Sequence, residues 1–215
     1  MYFGNLNNFK EHTYKLITGA ASYPITKTQV KDLLKLDASD TSEDDTIDLL
    51  IAAVTDYAEK YTRRDFINKT YRVYLEYLPS LISIRKSKLQ SIVHIKYYDQ
   101  TDVQQTLSSS IYAFTDDTDY SRIYQKYQQS FPTTFSTRPD PVEIQFVAGY
   151  GADATYVPNS LKLAMLQHVA SMYANRGDCT DGSGAGCDFA SALPPASRMI
   201  YNSYKIYNIN ARPMV

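Results

Sequence analysis

The segment from 42 to 64 constrains the fold more than any other part of the sequence. Acidic side chains crowd its first turn, and Arg63 and Arg64 close its last turn, as the helix dipole favours. Between them, apolar residues recur every three or four positions, a spacing typical of a helix with one buried face. That face comprises Ile47, Leu50, Ile51, Val54, Tyr57, Ala58 and Tyr61. With Ser42 as N-cap, the pattern predicts a long helix over 43–64 that must pack on a core.

A second, shorter helix is predicted before it, over 26–37. Thr26 and Gln29 have the spacing of a capping box, in which each side chain satisfies a backbone N–H group near the other. Residues 1–23 show no strong periodicity. We interpret them as an N-terminal arm, with a short strand expected near Tyr14-Lys15-Leu16-Ile17.

The region 70–148 alternates apolar and polar residues in short runs, which predicts antiparallel strands. The runs are 70–78, two between 81 and 99, 103–107, 111–114, 122–124 and 142–148. Two further helices are predicted after this region, over 158–176 and 196–207, followed by a tail, 208–215. The order predicts an α+β fold: a small helical bundle, made of a long N-terminal helix pair and the C-terminal helices, with an inserted antiparallel β region. We expect a single domain over 24–207.

A glycine pair raises the question of nucleotide binding. Gly149, Gly151 and Ala154 spell G-x-G-x-x-A between a strand and a helix, the pattern of a dinucleotide-binding turn. Pro158, however, puts the predicted helix start too late for its amides to reach a pyrophosphate. No second strand is predicted after that helix. We therefore expect the glycines to allow positive φ at a strand exit, and no cofactor.

Other catalytic and metal-binding signals are weak. His168 lies on the apolar face of the third helix, and we interpret it as a core histidine. The sequence has no P-loop, nucleophile elbow or zinc-protease motif, so we predict no enzymatic activity. Cys179 and Cys187 match no zinc spacing, and we interpret them as free thiols in a loop. No metal site is predicted.

Composition narrows the class of partner. The formal net charge is −1, which argues against diffuse attraction to nucleic acid or membranes. No apolar stretch approaches the roughly 20 residues that span a bilayer. The chain has 20 Tyr, 8 Phe and no Trp. Tyrosines suit surfaces that become buried on assembly, and outward rings on strands are the alternative reading.

Several segments together resemble one family. "PITKTQVKDLLKLD" followed by "DDTIDLLIAAVTDYAEKYTRRDF" is similar to the paired N-terminal helices of the head–tail connector (adaptor) proteins of tailed bacteriophages. "NKTYRVYLEYLP", "KLQSIVHIKYYD" and "FVAGYGADATYVPNSLKLAMLQHVASMYANR" continue the resemblance in the same order, over about 24–207. The last segment is the most specific, with its strand, glycine turn, Val-Pro and helix. The N-terminal arm and the cysteine-containing loop depart from the shorter members.

The resemblance implies a structural protein of the virion neck, made in the host cytoplasm. Such a protein forms a dodecameric ring under the portal, extends the DNA channel and docks the tail or the next neck protein. Double-stranded DNA would pass through it transiently, without sequence-specific binding, and no membrane is involved. Two alternatives stay open: a stopper or tail-terminator ring, and a tyrosine-rich module that binds nucleic acid or sugars.

The resemblance also gives two sets of candidate residues. In the family the C-terminal region reaches toward the portal, so we expect residues 198–215 to be poorly ordered alone and to become ordered against it. The expected partner-binding residues are Arg198, Tyr201, Tyr204, Lys205, Tyr207 and Arg212. The expected channel-facing acids are Glu43, Asp44, Asp45 and Asp48.

Overall fold

A computed structural model of the chain describes residues 14–86, 88–116, 121–134, 137–174 and 193–207. These residues form four α-helices and eight β-strands, and the chain divides into two compact units. The sheet unit comprises Met1–Gly19 and Asn68–Gly149, and the helical unit comprises Ala20–Ile67 and Tyr150–Val215. The prediction of a small helical bundle with an inserted β region is wrong, because the strands form two antiparallel sheets over a core of their own. The mixed α+β character is as predicted.

The strands of the sheet unit fall within the runs predicted from alternation, or within a residue or two of them. They are β1 (Tyr14–Thr18), β2 (Lys69–Leu75), β3 (Leu81–Ile84), β4 (Leu89–Tyr98), β5 (Gln104–Thr106), β6 (Tyr112–Thr115), β7 (Ser121–Gln125) and β8 (Val142–Ala148). One sheet has the order β1-β2-β8-β4-β5 and the other β3-β7-β6, with every pairing antiparallel.

The register of the larger sheet aligns its apolar residues on one face. Ile144 of β8 lies opposite Val73 of β2 and Ile95 of β4, and none of the three is measurably exposed. Because side chains alternate along a strand, this register sends the intervening polar residues to the other face. There Glu143 contacts Arg72 at 3.4 Å and His94 at 2.8 Å. Buried and partly exposed residues therefore alternate strictly along β8.

The helical unit contains α1 (Lys27–Leu34), α2 (Asp44–Thr62), α3 (Asn159–Ala174) and α4 (Pro195–Tyr204). The capping box of α1 is confirmed. The backbone N–H of Gln29 donates to the Thr26 hydroxyl, and the backbone N–H of Thr26 donates to the side-chain carbonyl of Gln29. Ser42 was the wrong N-cap for α2. Glu43 occupies that position, while Ser42 belongs to the preceding turn, where its backbone N–H donates to Asp40 Oδ1 at 2.9 Å.

The predicted apolar face of α2 lines the core of the helical unit. Its fully buried members are Ile47, Ile51, Val54 and Ala58, and Leu50, Tyr57 and Tyr61 are partly buried beside them. They pack with buried residues of α3 and α4, among them Leu161, Met165, Val169 and Tyr201. Within the described residues, no helix is both long and apolar enough to cross a bilayer.

Candidate assembly surfaces

The acidic start of α2 is held by two lysines of α1. Lys31 Nζ lies 2.6 Å from Asp44 Oδ1, and Lys27 Nζ lies 3.1 Å from Asp44 Oδ2 and 2.8 Å from Asp48. The hydrogen bond from Lys31 is the main reason that the pKa of Asp44 lies below its ordinary value. Lys31 is buried and also donates to the backbone carbonyl of Asp40. Asp44 is therefore an internal ion-pair partner of α1.

The other expected channel acids are arranged differently. Asp45 and Asp48 are exposed, and Glu43 is partly buried. Leu49, which follows Asp45 and Asp48 in the sequence and precedes Asp56, is 70% exposed. The opposite face of α2 packs on the core, so a leucine with this much exposure indicates that its side of the helix faces outward. Periodicity leaves Leu49 off the predicted buried face, but a leucine next to the core position Leu50 was not singled out as a surface residue.

The C-terminal segment is folded onto its own unit. Tyr201 is fully buried among α2 and α3 residues, so its ring is not available to a partner in this arrangement. Tyr61 donates its hydroxyl to Asn202 at 2.7 Å, and the Ile206 amide donates to the Thr62 carbonyl at 3.0 Å. Residues 198–215 were expected to be poorly ordered without a portal. For the described part, 198–207, this is wrong, because these bonds and the buried tyrosine hold the segment against its own unit.

The remaining C-terminal candidates differ in exposure and in their contacts. Arg198 and Tyr207 are exposed, with Tyr207 at 66%. Tyr204 is partly buried, and its hydroxyl lies 2.8 Å from the Ser160 hydroxyl. Lys205 places its ammonium 4.7 Å from the centre of the Tyr61 ring. Arg212, the tail 208–215, and Cys179 with Cys187 lie outside the described residues.

His168 is a core residue, as predicted. Only 1% of its surface is exposed, and its ring meets Tyr57 edge-on at 5.2 Å and lies 6.2 Å from the ring of Tyr201. Burial lowers the pKa of His168 to about 4, so the imidazole is neutral near pH 7. Among the described residues, its Nδ1 finds no hydrogen-bond partner. A neutral imidazole in an aromatic core has a packing role.

The expected positive φ is found at Gly149 but not at Gly151. Gly149 has φ of 152°, and a Cβ built there would lie 2.7 Å from the backbone nitrogen of Asn68. At Gly151 a Cβ would lie 2.2 Å from the ring of Tyr156. The following helix, α3, begins only at Asn159, and β8 pairs antiparallel on both sides. A dinucleotide turn needs a parallel βαβ unit whose helix begins at the glycines, so the geometry differs from that motif.

The tyrosines expected of a stacking module do not share one open face. On β2, Tyr71 is buried while Tyr74, three residues on, is partly exposed, and Arg72 is bound to Glu143 and Gln145. On β4, Tyr97 packs on the core, whereas the ring of Tyr98 is covered by the guanidinium of Arg138 at 3.7 Å. Base or sugar stacking needs a row of open rings, and these two strands do not supply one.

Comparison with solved structures gives the fold a context. The chain aligns with a protein in the neck of an empty gene transfer agent (GTA) particle, computed with C6 symmetry, at a TM-score of 0.72 and 18% identity; the match covers 94% of this chain and 100% of the other. The chain shares its fold with GTA particle proteins. A second match is a protein of the native GTA virion, with a TM-score of 0.71 and 18% identity; it covers 92% of this chain and 97% of the other. A third is a protein of the native GTA neck computed with C12 symmetry, with a TM-score of 0.67 and 17% identity; it covers 94% of this chain and 100% of the other. No protein-family model matches the sequence, and comparison with curated proteins finds no match.

Sequence reasoning missed four candidate residues. Lys27 and Lys31 are spaced four residues apart just before an acidic run, a signal of pairing that was present in the sequence. Leu49 and Met199 were not recognised as outward-facing, although Met199 is 74% exposed. Hydrophobicity alone assigns such residues to a core, and only the packing of the helices reveals which side they face.

Proposed function

We propose that this chain is a structural protein of the neck of a tailed phage or phage-like particle, and that twelve copies form a closed ring. The single observation that carries the proposal is the extent of the fold match. It covers nearly the whole chain and all of a neck protein, and the matched necks were computed with C6 and C12 symmetry. Both symmetries are compatible with twelve copies. The independent resemblance of the sequence to head–tail connectors supports the same conclusion.

A ring closes when each copy presents two different surfaces to its neighbours, one on each side. Isolated exposed apolar side chains are ordinary on protein surfaces, but large ones that lie side by side, or on faces that do not pack on the core, are candidates for burial on assembly. On the three-stranded sheet, Leu81 of β3 lies opposite Tyr124 of β7, and these side chains are 51% and 38% exposed. The helical unit exposes Leu49, Leu163 and Met199 to at least 50%. The chain thus offers apolar surface in both units for burial on assembly.

The ring is proposed to lie under the portal and to extend the DNA channel. DNA must slide through such a channel, and each phosphate contact made by a lysine or arginine would strengthen binding and slow passage. A net charge of −1 is compatible with that requirement. The role is structural, and DNA passes without sequence-specific recognition. Of the four acids first considered for the channel wall, we propose that Asp44 serves the fold instead, because it pairs with the buried Lys31.

Portal docking is proposed for the end of the chain, from Lys205 through Tyr207 into the tail 208–215. Tyr207 is exposed and leads directly into the tail, where Arg212 adds a cation. Deleting 208–215 should leave the melting temperature nearly unchanged, because the described core of the helical unit does not include these residues. Particles carrying the truncated protein should package DNA but fail to join tails. If the truncated protein supports normal infectious particles, the tail is not the docking element.

Two measurements on the purified protein test the proposal against its alternatives. Native mass spectrometry should find a twelve-subunit assembly, alone or after addition of the portal protein from the same genome, and the assembly should co-sediment with the portal. A stopper or tail-terminator ring would instead bind other neck or tail components and not the portal. A tyrosine-rich binding module would stay monomeric and bind single-stranded DNA or oligosaccharides. A protein that stays monomeric and does not bind the portal would refute the proposal.

A further inference from the structure

One face of α2 is an exposed stripe that the fold of the single chain does not use. We call it the acidic stripe: Asp45, Leu49, Ala53 and Asp56, which follow one another at intervals of four, four and three residues and so lie on the same side of the helix. Leu49 is 70% exposed, Asp45 and Asp56 are exposed, and Ala53 is partly buried. Asp56 is paired with Lys60 at 2.6 Å. The stripe therefore presents an apolar residue next to an acid, Asp45, at the start of the helix.

One acid at this end of α2 makes no ion pair within the described residues. Asp44 and Asp48 are bound to Lys27 and Lys31, whereas Asp45 is exposed and has no such partner there. The helix N-terminus favours its negative charge, yet a cationic partner beside Asp45 would balance it further.

The complementary surface lies on α4. We call it the methionine face: Ala196, Arg198, Met199, Asn202 and Ser203, all exposed. Met199 is 74% exposed, and α4 contains Arg198 but no acidic residue. Methionine is flexible and polarisable, which suits an irregular apolar contact. The face thus pairs an apolar side chain with a cation, the counterpart of Leu49 with Asp45.

The methionine face is held rigidly enough to serve as a docking surface. On the opposite side of α4, Ser197 donates its hydroxyl to the Ala164 carbonyl at 2.9 Å, and Tyr201 is buried in the core. Arg64 Nε donates to the carbonyl of Tyr204 at the end of the helix. A surface fixed before binding loses less conformational entropy on association.

The methionine face lies beside the C-terminal half of α2. Its Asn202 accepts a hydrogen bond from Tyr61, and its Arg198 acts electrostatically on Tyr57, whereas Leu49 lies in the second turn of α2. At 1.5 Å per residue, Leu49 is about 12 Å from Tyr57 and about 18 Å from Tyr61 along α2. One chain cannot therefore bring its own methionine face onto its own acidic stripe. Two distinct, separated and complementary surfaces are what a head-to-tail contact between copies requires.

We infer that the acidic stripe of one copy docks on the methionine face of the next copy, with Leu49 against Met199 and Asp45 beside Arg198. This inference rests on the proposed ring and identifies one contact that closes it. It assigns Asp45 to the contact between subunits and not to the channel wall. Because the contact recurs around a closed ring, a change at either surface affects every interface in the assembly.

Charge reversal tests the pairing directly. Asp45→Arg and Arg198→Glu each place like charges at the contact, which costs association energy. Each should raise the midpoint concentration for ring assembly by about tenfold or more, measured by mass photometry and sedimentation velocity. The double variant restores opposite charges and should bring the midpoint back toward the wild-type value. Asp32→Arg, at an exposed acid of α1 outside both surfaces, is the matched control and should assemble normally.

Four outcomes separate the inference from the function on which it rests. If the wild-type protein forms no ring, with or without portal, the proposed function fails. If the wild-type protein forms rings and both single variants do so equally well, the inference is overturned while the function stands. Loss of assembly in both single variants without recovery in the double variant also overturns the pairing. Recovery in the double variant, with native melting temperatures throughout, supports it.

If a charge variant does not fold, Leu49→Ser and Met199→Ser replace it, since both side chains are exposed and make little contribution to the fold. Each should weaken assembly without lowering the melting temperature. Leu33→Ser, at an exposed leucine of α1, is the control. Equal assembly of all three variants and the wild type would overturn the inference.

Discussion

His168 gives the sharpest test of the helical core, because a single proton should destabilise it. The imidazole is buried between Tyr57 and Tyr201, and its Nδ1 has no hydrogen-bond partner in the part of the chain that the structure describes. Protonation would place a positive charge in an aromatic core with no described acid bonded to it. The pKa of His168 is accordingly lowered from 6.5 to about 4.

The direction of the pH effect follows from this shift. The unfolded chain binds the proton near pH 6.5, whereas the folded chain resists it until about pH 4. Stability from the neutral imidazole is therefore fully present above pH 6.5, falls as the pH drops toward 4, and falls no further below that. With one pKa unit worth about 1.4 kcal/mol, lowering the pH from about 7 to 4.5 should cost about 2 kcal/mol of unfolding free energy.

The assay compares wild type with His168→Leu, which removes the titrating group and keeps an apolar side chain of similar size. Guanidinium unfolding at several pH values between 7 and 4.5 should show the loss in the wild type and a flatter curve in the variant. An NMR titration of the histidine Cε1–H signals, assigned by the peak missing from His168→Leu, should give His168 a pKa near 4. Equal pH slopes for the two proteins, or a measured pKa close to 6.5, would refute the reasoning.

The remaining predictions concern packing, the glycine turn and the buried ion pair, all read by thermal and denaturant unfolding. Ile51→Ala should cost about 2–5 kcal/mol because Ile51 is 2% exposed, and Leu49→Ala, at 70% exposure, should change stability by less than about 0.5 kcal/mol; similar values for both would mean that α2 is oriented differently. Gly151→Ala should lower the melting temperature strongly, since its Cβ would overlap the ring of Tyr156, and an unchanged value would contradict the close approach. Lys31→Met should cost about 1–3 kcal/mol by leaving Asp44 and two carbonyls without their buried donor. Lys27→Met should cost less, because its side chain is 32% exposed; the reverse order would contradict the ion-pair assignment.

Much of the local structure could be predicted from the sequence because its causes are local. The capping box of Thr26 and Gln29, the periodicity of α2 and the alternation in β8 each depend on residues a few positions apart. The core position of His168 and the positive φ of Gly149 were likewise correctly inferred. These features depend on helix and strand periods and on glycine stereochemistry, which do not depend on contacts with distant parts of the chain.

The global arrangement could not be predicted in the same way. The pairing of β8 with both β2 and β4 is set by contacts far apart in sequence, and it creates a sheet unit with its own core where a bundle insertion was expected. Tyr201 shows the same limit at the candidate site. A tyrosine on a short cationic helix suggests a docking surface, but the helix turns that ring inward and exposes Met199. Which side of an amphipathic helix faces outward depends on what else packs against it.

Cryo-electron microscopy of the neck, on particles produced by the genome that encodes this chain, tests the central claim most directly. The account predicts a ring of twelve copies of this fold between the portal and the tail, around a continuous channel, with α2 of each copy against α4 of the next. It would be contradicted by a neck in which this position is occupied by another protein, or by purified particles in which mass spectrometry does not detect this chain.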